Sequence, residues 1–193
     1  MALRKVIHEG DTLLRKRSRE IKEITDRIKA LADDMWETMY NANGIGLAAP
    51  QIGVLRRMIV VDITECLAEE EEAGEGSEAG ENAQADEDSM VETDEITEES
   101  RPEPIKYLMI NPEIVEVSEE TVTAKEGCLS VPGFLGVVVR PACVRVRALD
   151  IEGNTFEVEG EGMLAKALQH EIDHLNGILY TDIAESLEEI KPE

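Results

Sequence analysis

Two of the three histidines in this 193-residue chain stand four positions apart, in His170-Glu171-Ile172-Asp173-His174. The residues around that pentad restrict what it can be: Leu164, Leu168, Ile172 and Leu175 recur at helical spacing across 161–175, and Gly177 supplies a stop. Residues four apart on a helix lie one turn above each other, so both imidazoles leave the same face and can share one metal ion. Glu171 then sits beside the open side of such an ion. The plainer alternative is a surface helix that exposes two histidines. On either reading, the fold must bury the apolar stripe of a helix near the end of the chain.

A second helical stripe is set by Ile24, Ile28, Leu31, Met35 and Met39, with Thr25 or Asp26 as N-cap and Gly44 in the position of a stop. Between the two helices the pattern changes to short β-branched-rich runs bounded by Gly, Pro, Asn or Asp. These predict strands at 58–63, 107–110, 114–117, 137–139, 144–149 and 155–158. The expected fold class is α+β: small antiparallel sheets packed around a central helix carrying the pentad, with an N-terminal helix.

Charge divides the chain unevenly. Acidic side chains outnumber basic ones 43 to 19, for a net charge of -24, and residues 65–103 alone carry -16 of it, with Arg101 as their one basic residue. Ala, Gly, Ser and Glu dominate there, leaving too few large apolar groups to offset the entropy of ordering. Residues 1–193 therefore read as a single domain interrupted by a disordered acidic insertion at 66–103, with an electrostatic lure for a basic partner as the alternative. The negative balance repels phosphate backbones and anionic lipid, and an aromatic content of 3% leaves little to stack on bases. Direct nucleic-acid binding and a membrane partner are not expected. No secretory apolar stretch follows Met1, and no apolar run approaches the roughly 18 residues of a membrane span, so the expected location is cytoplasmic.

Two histidines do not complete a metal site, which needs a third protein ligand and, for catalysis, an open position. Cys128, in Glu126-Gly127-Cys128-Leu129-Ser130, is the candidate; Cys66 borders the acidic stretch, and Cys143, in a strand-like alternation, reads as a small buried hydrophobe. A third stretch, Gly44-Ile45-Gly46-Leu47-Ala48-Ala49-Pro50-Gln51-Ile52-Gly53, formally satisfies a dinucleotide-binding pattern. That pattern needs a strand before its glycines and a helix after; here a helix precedes them and Pro50 blocks helix continuation. Exposed backbone in such a segment suits an extended peptide instead, and Gln51 adds a neutral donor.

Taken together, Gly44-Ile-Gly-Leu-Ala-Ala-Pro-Gln51, Glu126-Gly-Cys-Leu-Ser130 and Gln169-His-Glu-Ile-Asp-His174 resemble the three ordered motifs of the peptide deformylases. The likeness covers nearly the whole chain except the acidic stretch. It implies metal-dependent hydrolysis of the formyl group from N-formylmethionine at the start of newly made polypeptides, with formate released. It further implies Cys128, His170 and His174 as metal ligands, Glu171 as the acid/base, Gln51 and the Leu129 N–H as oxyanion donors, and Ile45, Gly46 and Gly127 lining the substrate groove. The family's usual metal is Fe(II), with Zn, Ni or Co able to take the site, and mixed nitrogen and sulfur ligation suits several of these ions. Asp173 has two open readings, a partner orienting an imidazole or a solvated helix carboxylate. The partners implied are formyl-Met nascent peptides. Transient ribosome proximity is compatible with this role, but the acidic tail after Tyr180 lacks the basic terminal helix with which some relatives dock there. Two other classes remain: a zincin-like endopeptidase with a different third ligand, and an acidic binding module needing no metal.

Overall fold

The β-branched runs pair antiparallel throughout and form two sheets. The structure, a computed structural model, describes residues 2–66 and 105–190, so the acidic stretch from residue 67 onward lies outside the described residues. The larger sheet contains β1 (Gly46–Ala48), β2 (Met58–Asp62), β3 (Lys106–Val117), β6 (Cys143–Leu149) and β7 (Thr155–Glu161), neighbours in that order. The smaller sheet is β4 (Thr121–Cys128), β5 (Val131–Pro141) and β8 (Ser186–Glu189). Two long α-helices among the described residues, α1 (Asp26–Asn41) and α2 (Gly162–Asn176), complete the α+β architecture. None among the described residues is long and apolar enough to cross a membrane.

The unbroken apolar run of β2, Met58-Ile-Val-Val61, follows from its position. A strand covered on both faces needs apolar residues at every position. Ile59 and Val61 pack with Leu168, Ile172 and Leu175 of α2, whereas Met58 and Val60 pack with Leu31, Met35 and Met39 of α1. Each fully buried side chain of this size contributes about 1.5–3 kcal/mol relative to exposure. The central sheet thus holds α2 on one face and α1 on the other. A third cluster of Leu14, Val131, Val138, Leu179 and Tyr180 sits under the smaller sheet.

The two strands expected at 107–110 and 114–117 are one strand, β3. Asn111-Pro112 looked like a break, but Asn111 takes a left-handed φ of 52° and the register shifts between Ile110 and Glu113, which makes a bulge. The Asn111 side chain then accepts from the Ile21 N–H and donates to the Ile21 carbonyl, both at 2.8 Å. β4 and β8 were not expected, because their exposed Thr, Lys and Glu conceal the alternation. Thr25 is the N-cap of α1, without a side-chain cap bond. After α2, Gly177 at φ 80° turns the chain, and the Ile178 N–H closes on the Asp173 carbonyl at 3.0 Å.

Candidate active site

Cys128 ends β4 at the tip of the β4–β5 hairpin, paired with Val131, and α2 presents His170, Glu171 and His174 toward that tip. The ligand atoms of Cys128, His170 and His174 all lie within 4.8 Å of one another. Cys128 Sγ is 3.2 Å from His174 Nε2.

The pentad's first imidazole is aimed by a chain of buried charges. His170 Nδ1–H donates to Glu126 Oε2 at 2.8 Å. Arg140 grips both oxygens of Glu126, and its other arm donates to Asp173 Oδ2 at 2.8 Å. Burial opposes the Glu126 charge, but the hydrogen bonds from His170 and Arg140 outweigh it and hold its carboxyl at about 2. Ionised, Glu126 can only accept, so His170 carries a proton on Nδ1; burial opposes a charge on this imidazole, but hydrogen bonding to Cys128 and Glu126 outweighs it and raises it to about 10, and a metal ion would replace the second proton at Nε2. Burial, with His170 adding to it, pushes His174 well below its usual range and keeps it neutral, the form that binds metal. His174 Nδ1 is buried with no hydrogen-bond partner among the described residues. One thiol and two imidazoles converging in this way would suit a divalent transition-metal ion, which binds each imidazole in its neutral form.

Asp173 touches no imidazole: it reaches His170 only through Arg140 and Glu126. Of this chain, the sequence offered one signal, since Glu126 lies two residues before Cys128 and so on the same face of a strand. Arg140 gave none, because its approach depends on the twist of the hairpin. Cys143 stands at the start of β6, outside the ligand cluster, and is half-buried rather than buried as expected.

A cavity of about 360 Å³ opens over the cluster, lined by Ile45, Gly46, Gly127, Leu129 and Glu171, among others. A Cβ on Gly46 would stand 2.5 Å from Glu171 Oε1, so the carboxylate lies against bare β1 backbone. Burial pushes the Glu171 carboxyl up to about 7, and its Oε2 has no partner among the described residues. Gln51 accepts from the Ala48 N–H at 2.7 Å, which turns its Nε2 toward Cys128 Sγ at 3.5 Å and Ser130 Oγ at 3.3 Å. The first residues of the chain brace this wall, the Ile7 N–H donating to the Gln51 carbonyl and the Glu9 N–H to the Ser130 carbonyl, both at 2.8 Å. Every residue expected at the site is therefore at or beside one cleft.

Residues 3–189 match the sequence profile of the polypeptide deformylases. The chain belongs to that family. Among deformylases it is 45% identical over 182 residues to the peptide deformylase of Acetivibrio thermocellus, which covers 94% of this chain and 84% of that one. Solved deformylase structures superpose on it closely. That from Legionella pneumophila gives a TM-score of 0.72 at 38% identity, covering 95% of this chain and 87% of the other. That from Thermotoga maritima gives 0.73 at 30% identity, covering 96% and 100%. Deformylases are metal-dependent hydrolases of formyl-peptides, and the cluster of Cys128, His170 and His174 offers this chain a place for the metal.

Proposed function

We propose that this cleft removes the formyl group from N-terminal formylmethionine, with Cys128, His170 and His174 holding one divalent metal ion and Glu171 moving the protons. The convergence of one sulfur and two imidazole nitrogens within 4.8 Å, beside a buried carboxylate, carries the reading. The chain acts as a hydrolase on formylated nascent peptides. Fe(II) is the ion we assign, with Zn, Ni or Co as substitutes suited to the same donors.

When bound, the ion supplies Lewis acidity, polarising the formyl carbonyl and making water easier to ionise. Glu171 takes a proton from the attacking water at a carboxylate oxygen. The water oxygen bonds to the formyl carbon, negative charge moves to the formyl oxygen, and Gln51 Nε2 and the Leu129 N–H donate to it. Glu171 then returns its proton to the departing nitrogen as the C–N bond breaks, leaving formate and a free amino terminus. A carboxyl near 7 suits both directions of transfer. β1 is an edge of the larger sheet, so an extended peptide can pair along Ile45 and Gly46 while Gly127 borders its other side. Met163 and Ala167 on α2 give the cavity an apolar wall for the methionine side chain. The whole chain forms one catalytic unit, with the acidic stretch as a surface insertion; its setting is the cytoplasm, where formyl-Met chains begin.

Glu171→Gln, purified without oxygen, should keep its metal and lose about 10²- to 10⁴-fold in formate release. Turnover near wild type would overturn the assignment. Cys128→Ala should lose both metal and activity, whereas Cys143→Ala should lose neither.

A further inference from the structure

A second and larger cavity, about 1260 Å³, lies on a different face and shares no lining residue with the catalytic cleft. Its walls are basic in a chain of net charge -24. Arg17, Arg19 and Lys22 come from the segment before α1, Arg27 from the first turn of α1, and Arg56 and Arg57 from the turn into β2. Three carboxylates, Glu20, Glu23 and Glu113, share the cleft with these six cations.

Arg4 also lines this cleft but holds Asp34, and elsewhere Arg15, Arg140, Arg145 and Arg147 all hold carboxylates. Arg17, Arg19, Arg27 and Arg56 are exposed and form no ion pair among the described residues. Burial, with the neighbouring Arg17 adding to it, pushes Arg57 down against the opposing pull of Glu20 and Glu113, so like charges are held close here. Backbone hydrogen bonds tie together the segments that present them. Arg19 and Arg56 form a β-bridge, the Arg57 N–H donates to the Arg19 carbonyl at 2.9 Å, and the Ser18 N–H donates to the Leu175 carbonyl at 2.8 Å. The Ser18 hydroxyl is a second pointer to a ligand. It lines the cleft, is 5% exposed, and its Oγ has no partner among the described residues.

We propose that this cleft docks the sugar-phosphate backbone of folded RNA, leaving the catalytic cleft on another face free to receive peptide. Planar guanidinium forks match phosphate oxygens, and a buried hydroxyl can donate to one. The cavity is too large, and its cations too widely spread over three segments, for one small anion. Closely spaced phosphates would meet several of them at once. Net charge averages this face with the acidic remainder, so the overall repulsion of polyanions becomes a device that turns this one face toward them. RNA held here would keep the enzyme where formylated chains are made.

The test uses the full, metal-loaded chain and a fluorescein-labelled RNA hairpin, followed by anisotropy from about 50 to 200 mM potassium chloride. The wild type should bind with an affinity that falls steeply with salt. In Arg17→Gln/Arg19→Gln/Arg56→Gln the salt slope should drop by about 3, and in Arg56→Gln alone by about 1. Both variants should keep the wild-type rate on a short neutral formyl-Met peptide and the wild-type melting temperature. No RNA binding by the wild type would overturn the proposal, as would a slope unchanged in both variants. Competition by polyglutamate as effective as by RNA at equal charge would also overturn it, marking an acidic-peptide site.

Discussion

Glu126 has to stay ionised inside the protein and, in the same pose, present Oε2 to the His170 Nδ1–H. Glu126→Gln keeps the size but removes the charge that fixes the tautomer, and it leaves the buried Arg140 fork without its main counter-ion. Metal affinity, measured by competition with a chelator, should weaken about 10- to 100-fold, with a lower melting temperature. Unchanged affinity would remove Glu126 from the positioning chain. Gly46→Ala tests the other side of the cleft, since its Cβ would press on Glu171 Oε1. It should fold and hold metal while kcat falls, because the displaced group is the one proposed to transfer protons. At this scale the proposed site was legible in the sequence wherever it falls in short contiguous motifs, as with Cys128, Gln51 and the pentad. It was not readable where one side chain acts through another: the roles of Arg140 and Asp173 depend on a hairpin folding over a helix.

For the elements, hydrophobic period identified both helices and the buried strands, and it failed where exposed polar residues or an Asn-Pro pair disguised a strand, as in β4, β8 and the middle of β3. The tie that anchors the start of the chain to α1 was equally hidden. Ala2 and Arg4 converge on Asp34, the Arg4 Nη2 at 2.7 Å from Oδ2. That Arg4 hydrogen bond is the main cause that lowers Asp34 below its usual 3.8. A carboxyl lowered in the folded state stabilises fully above its unfolded value and loses that contribution as pH falls through the folded one. Arg4→Met should therefore cost about 1 kcal/mol at neutral pH, because one partner stays half in solvent. The gap between the two melting temperatures should hold down to about pH 5 and close on further acidification. A gap independent of pH would mean that packing, not charge, makes the tie.

On the scale of the molecule, β2 and β3 pair from Met58↔Ile110 to Asp62↔Lys106, so the strand ends that flank the acidic stretch already lie side by side. A short Gly/Ser turn in place of 69–100 should leave kcat/KM on a neutral formyl-Met peptide nearly unchanged. A salt-sensitive preference for basic peptides, seen only in the full chain, would instead make the stretch part of substrate selection. Composition located that stretch, but net charge hid the basic cleft, because Arg17, Arg19 and Arg56 meet only after folding. The brace beneath the catalytic wall has a consequence in time. Its parts are Ile7 and Glu9 with Gln51 and Ser130, and the wall faces His174 near the far end of the chain. Contacts so distant in sequence form late. A growing chain cannot assemble the proposed cluster until α2 has been synthesised, so metal uptake there would wait until residues 170–174 have been made. Which ion the finished cluster would take then depends on the metals available when it closes, besides its geometry and donor set.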